Sequence, residues 1–217
     1  MNAIVLFGDV IRSRRDAPAS TAWLRTLVGE LETVYPPDQR FADFGFTQGD
    51  ELQCLLAPGA DPLQAIVRAW LHPGRVPMRW VAVRGSVDPG VGPATERTGP
   101  AFILARERLT DAAARRVRLV MTTGAADTDM LLDDLAPLLP ELLGDLTARQ
   151  RVVGRLILVE GLRPSQAADR LDVSRATISV AADRAHLRSI GRLANALRRL
   201  FASGVESAAR PVTEAVG

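Results

Sequence analysis

Arg163-Pro164-Ser165-Gln166-Ala167-Ala168-Asp169-Arg170-Leu171-Asp172-Val173-Ser174-Arg175-Ala176-Thr177-Ile178-Ser179 carries the most structural information in the chain. The spacing reads as two short helices around a tight turn, the helix-turn-helix arrangement that lays a second helix in the major groove of DNA. Small Ala168 stands where the helices cross closely, and Leu171, Val173 and Ile178 supply the apolar wedge between them. Asp172 falls where the backbone must turn left-handed; glycine is usual there, but Asp tolerates that conformation better than most residues. Ser174 then serves as N-cap of the second helix. An ordinary helical hairpin is the alternative reading of the same pieces, since helix pairs at such angles are common.

On this reading Ser174, Arg175, Ala176, Thr177 and Ser179 face base edges, because Ile178 and Ala181 take the inward face. Ser165 and Gln166 meet phosphates from the first helix, and Arg184 and Arg188 add charge. The charge distribution agrees. Residues 144–201 carry 11 Arg against 5 acidic residues, a balance of +6 in a chain whose net charge is only +2. Positive charge collected at one end points to double-stranded DNA as partner. All 27 basic residues are Arg, which by itself decides nothing.

With 217 residues and 47% hydrophobic content, the chain can bury one good core plus a small second domain. A single cysteine, Cys54, excludes an internal disulfide framework and fits a reducing compartment, so the expected location is cytoplasmic. The apolar start, residues 1–7, runs into Gly8-Asp9 and is too short to span a bilayer; no membrane partner is expected. His72 and His186 stand apart from Cys or paired carboxylates, which gives no zinc pattern.

Along the chain, residues 2–8 read as a central strand, 20–34 as a helix stopped by Tyr35-Pro36-Pro37, and 41–48 with 51–57 as a hairpin around Gly49-Asp50. A helix at 62–71, a strand at 78–87, a Gly/Pro-rich loop at 88–99, a helix at 100–114 and a strand at 116–122 follow, with a connecting helix at 131–143. The order β-α-β-β-α-β-α-β predicts an α+β sheet domain over 1–143, an all-α DNA-binding domain over 144–203 and a flexible tail over 204–217. Leu187, Ile190, Leu193, Ala194, Leu197 and Phe201 form an apolar stripe that must be covered, either by the sheet domain or by a twin helix in a homodimer.

Candidate chemistry sits in the first domain. If the third strand runs antiparallel beside the first, Asp9 and Asp50 become neighbours on one sheet edge, with Glu51 next to them. Two carboxylates there repel unless a cation lies between them, and hard oxygen ligands with nucleotide phosphates select Mg²⁺. Alternatively, Asp9 caps the following turn and Gly-Asp merely makes the hairpin. The run Val10-Ile11-Arg12-Ser13-Arg14-Arg15 reads as a phosphate cradle or as a solvated charged loop. The nucleotide-binding candidates are Val10, Ile11, Arg12, Ser13, Arg14, Gly49 and Gly99.

Gly8-Asp9-Val10-Ile11-Arg12-Ser13, Thr47-Gln48-Gly49-Asp50-Glu51-Leu52-Gln53 and Gly99-Pro100-Ala101-Phe102, with the helix-turn-helix behind them, resemble a SatD family protein from residue 1 to about residue 201. More distantly, the first domain is similar to the ferredoxin-like, palm-type sheet of class III nucleotidyl cyclases and GGDEF diguanylate cyclases. That resemblance implies two metal ions held by an Asp ending the first strand and a Gly-Asp hairpin, here Asp9 and Asp50, with Glu51 matching the hairpin acid. It also implies pairing of sheet domains. Where cyclases place a transition-state Asn and Arg, this chain has Ile103 and Glu107, unless a slip brings Arg106 or Arg108 into place. Losing such donors costs roughly two to four kcal/mol each. The expectation is therefore a transcription regulator whose cyclase-like domain senses a purine nucleotide or nucleotide-derived signal, rather than an enzyme. The rivals are a metal-dependent nucleotidyl transferase or cyclase carrying a DNA-binding domain, and a DNA-binding protein whose sheet only dimerises.

Overall fold

The structure is a computed structural model and describes residues 1–11, 17–47 and 50–208. The chain is an α+β protein built on a five-stranded mixed sheet. Its first strand, β1 (Asn2–Val10), is central because nearly every residue is apolar and both of its faces are covered. It pairs antiparallel with β3 (Glu51–Leu56) on one side and with β4 (Met78–Ser86) on the other. β2 (Arg40–Thr47) lies outside β3, and β5 (Leu119–Thr122) runs parallel to β4 at the far edge, in the order β2-β3-β1-β4-β5. The first strand runs two residues past Gly8, because Asp9 pairs with Arg79 and Val10 with Met78, and the Val10 amide donates to the Asp50 carbonyl at 2.9 Å.

The period of two in β1 sorts its side chains between two layers. Ala3, Val5 and Phe7 join Val81, Val83 and Leu55 beneath α3 (Pro100–Arg115). Ile4, Leu6 and Val10 join Trp80, Cys54 and Met121 beneath α1 (Ala17–Val34) and α2 (Leu63–Leu71). Fully burying each of these larger side chains contributes about 1.5–3 kcal/mol.

The expected single helix at 131–143 is two helices, α4 (Ala126–Leu135) and α5 (Leu138–Gly144). α4 starts early because the Asp129 carboxylate accepts from the Thr123 and Gly124 amides, at 2.7 and 3.0 Å, and fixes the turn before it. It stops at Pro137, which has no N–H to continue the ladder. The chain continues into α6 (Ala148–Gly154), whose Thr147 and Gln150 form a reciprocal capping box, and a π-helical segment (Arg155–Val159). Three helices complete it: α7 (Pro164–Leu171), α8 (Arg175–Arg184) and α9 (Leu187–Ala208).

The apolar stripe of α9 is covered within the chain. Leu187, Ile190, Ala194, Leu197 and Phe201 are buried in the same apolar cluster as Ile4 and Trp80, and α9 packs on α4, α5 and α8. A Cβ at Gly204 would collide with the Thr123 side chain, so only glycine allows this approach of α9 to the end of β5. Two ion pairs tie the C-terminal helices to the sheet layers, Arg155–Glu30 at 2.5 Å and Arg198–Asp61 at 2.5 Å. The stripe therefore no longer argues for a homodimer. Among the described residues no helix is long and apolar enough to cross a membrane.

Candidate functional site

At one end of the sheet, the α3-side layer turns from apolar to charged. Asp9, Glu51 and Arg79 are register partners across β1, β3 and β4, so their side chains meet on that face. Gly8 precedes Asp9 because the other face has no room; a Cβ there would lie 2.7 Å from Met78 Cε and 2.9 Å from the Trp80 ring. Arg79 Nη1 donates to Asp9 Oδ2 at 2.7 Å and its Nε to the Val117 carbonyl at 3.2 Å. Burial pushes the Asp9 carboxyl above the ordinary carboxylate value; Arg79 pulls it back, and Asp50 and Glu51 push it up again.

Glu51 is occupied from both sides. One of its oxygens accepts from the Gln53 amide and the other from Arg106 Nη1, which reaches over from α3. The Arg106 guanidinium also lies 5.0 Å from the centroid of the Phe7 ring. As arranged here, then, Glu51 positions Arg106, and each of its oxygens already accepts one hydrogen bond. Among the described residues no group of three or more His, Cys, Asp or Glu stands together as a metal site.

Beside these charges a cavity of about 630 Å³ opens between α3 and the loop before it, within the size range of small-molecule sites. Phe7, Gln53 and Phe102 form its floor, and Thr98, Ile103, Arg106 and Glu107 line its exposed side. Gly99 lines it too, but its φ of 127° and its packing explain the glycine without a ligand; a Cβ would lie 2.6 Å from the Asp88 amide nitrogen. Val10 is buried in the core, while Ile11 is half-buried and its amide donates to the Pro77 carbonyl at 2.9 Å. Arg12, Ser13, Arg14 and Gly49 lie outside the described residues.

The second candidate surface is α7–α8. Asp172 adopts φ 50° and ψ 50°, the left-handed turn its position requires. The Val173 amide returns to the Ala168 carbonyl at 3.1 Å, and Ala167, Ala168 and Ile178 are buried between the helices. Ser174 caps α8 by accepting from the Thr177 amide at 3.1 Å, and the two hydroxyls are 2.9 Å apart. Ser174 and Thr177 thus satisfy each other, with Thr177 half-buried. Gln166 likewise spends its carbonyl oxygen on the Arg163 amide, at 2.9 Å, which leaves its NH₂ to face outward.

Ser165, Arg175, Ala176, Arg184 and Arg188 are exposed, and Ser179 is half-exposed. Sequence reasoning missed two residues, Arg79 and Val180, and weighed Arg106 without its partner Glu51, which lies 55 positions away. Val180 is 50% exposed and one turn from Ala176, so helical spacing alone could have found it. No protein-family model matches the chain, and no curated protein matches it.

Proposed function

We propose that this chain is a cytoplasmic DNA-binding transcriptional regulator whose sheet region responds to a purine nucleotide or nucleotide-derived signal. The observation that carries the reading is α8. Its first turn stands exposed behind the Asp172 turn and the Ser174 cap, while Ile178 anchors it against α7. A helix-turn-helix uses that arrangement to place its second helix in the major groove. Residues 144–203 are then the DNA-binding part and 1–143 the sensing part. The antiparallel order β2-β3-β1-β4, with α1 and α2 on one face, supports a ferredoxin-like, cyclase-like reading of the sheet, and with it the SatD resemblance. Replacing Arg175 by Ala should weaken binding to a target duplex by about 1–3 kcal/mol if it reads a guanine. Footprinting or anisotropy that finds unchanged affinity for both Arg175→Ala and Thr177→Ala removes α8 as the recognition helix.

For the signal, the cavity beside Arg106 and the edge at Asp9 and Asp50 are the supporting features. Mg²⁺ would be held by Asp9 and Asp50, with Glu51 beside them, together with nucleotide phosphates, where its charge offsets the burial and the neighbouring carboxylates that raise the Asp9 carboxyl. ATP or GTP should raise the melting temperature, more so with Mg²⁺, and Asp9→Ala or Asp50→Ala should remove the Mg²⁺-dependent part. The enzyme reading is weaker because Ile103 and Glu107, which line the cavity, offer no donor to a phosphoryl oxygen, and Arg106 is engaged by Glu51. Nucleotide turnover with Mg²⁺ that disappears in Asp50→Asn would favour the enzyme instead.

A further inference from the structure

The exposed face of α8 is not uniformly polar. Ala176 and Val180 sit one turn apart along it, with Arg184 a further turn on. Together with Thr177 and Ala181 they form one wall of a concave groove of about 640 Å³. Thr147, Arg149 and Gln150, at the start of α6, form the other wall. Thr147 and Gln150 are occupied by each other in the capping box, so Arg149 is the charged group this wall presents. Arg149 and Arg184 are exposed, and neither takes part in an ion pair among the described residues. The acids nearest in sequence, Asp145 and Asp183, are not part of the groove lining.

Two guanidinium groups on opposite walls, with small uncharged side chains between them and no carboxylate in the lining, match a chain of phosphodiesters. A sugar–phosphate strand can lie along the strip at Ala176 and Val180 with its phosphates toward the two guanidinium groups. We propose that the α6–α8 groove seats one backbone strand of duplex DNA, gripped by Arg149 from α6 and Arg184 from α8. The inference rests on the reading of α8 as a DNA-binding helix and extends the DNA surface to α6, outside the helix pair itself.

The test is fluorescence anisotropy of the full chain with a labelled mixed-sequence duplex, titrated from about 50 to 200 mM salt. For each phosphate that is no longer neutralised, the slope of log K against log salt becomes shallower by about 0.9. Arg149→Gln and Arg184→Gln should each show that change, whereas Arg25→Gln on α1, also exposed, should leave the slope as it is. Thermal melts matching the unsubstituted chain verify that the variants are folded, and Arg149→Glu should weaken binding further. Binding with an unaltered slope in both Gln variants overturns the groove proposal and leaves the α8 reading standing. Failure of the unsubstituted chain to bind the duplex at low salt overturns both.

Discussion

The sheet end and the α8 face use the same side chain in opposite ways. Around the sheet, arginines turn inward to carboxylates: Arg79 to Asp9, Arg106 to Glu51, Arg155 to Glu30 and Arg198 to Asp61. On α6 and α8, Arg149, Arg175 and Arg184 stand exposed, and none joins an ion pair among the described residues. Paired guanidiniums hold elements together, whereas those on α6 and α8 are tied to no carboxylate among the described residues. The contrast is one of arginine pairing, and one apolar cluster runs beneath both regions.

That shared cluster sets the largest expected effect. Trp80 is fully buried and its cluster includes Ile4 on β1 as well as Leu197 and Phe201 on α9. Trp80→Ala should cost about 3–5 kcal/mol, as large-to-small changes of buried aromatics do. Because the α9 stripe buries in the same cluster, the destabilisation should appear as one displaced transition, the same by far-ultraviolet circular dichroism and by tryptophan fluorescence. Two separated transitions, with the C-terminal helices surviving the sheet, would break the idea of a common core and make the regions independently stable.

A smaller change sharpens the other side of the comparison. Ser174→Ala removes the acceptor for the Thr177 amide and should cost about 1 kcal/mol of stability. For a chain of this size that corresponds to roughly 2–4 °C in melting temperature. If α8 is the recognition helix, duplex affinity should fall by more than in the Arg25→Gln control, since the first turn that presents Arg175 frays. Reduced stability with no change in duplex affinity would separate the cap from the DNA surface.

Local features were legible in the sequence where one element carried its own signal. The β1 run, the left-handed Asp172, the Ser174 cap and the Pro100 start of α3 each depend on neighbours within a few residues. The antiparallel pairing that brings Asp9 opposite Glu51 was legible as a condition on the third strand. What failed depended on distant partners. Nothing local says that Arg106 reaches Glu51, that Arg79 holds Asp9, or that Gly99 is glycine because the Asp88 backbone fills the space beside it. The break at Pro137 was readable from proline chemistry and was overridden by the apolar run on either side. The α9 stripe announced that it must be covered; only the tertiary structure shows that α4, α5 and α8 cover it.

The smallest expected effect tests whether the sheet end is a closed ion pair or a site awaiting a cation. Burial raises the Asp9 carboxyl above its ordinary value of 3.8, and Arg79 opposes that shift. A raised value in the folded state means that ionised Asp9 weakens folding. Its favourable contribution is fully present below 3.8 and disappears as pH rises through the higher folded value. Urea unfolding of the unsubstituted chain and of Asp9→Asn, compared from neutral pH downward, should therefore show the unsubstituted chain gaining on the variant as pH falls through that window. Reversal of this difference in metal-free buffer would mean that Arg79 outweighs burial, and the pair would be purely structural. Adding Mg²⁺ and nucleotide should supply positive charge next to Asp9, lower its carboxyl and shrink the pH-dependent gain. If Mg²⁺ and nucleotide leave the difference unchanged, Asp9 and Asp50 are strand-end residues whose work is finished by Arg79 and the hairpin.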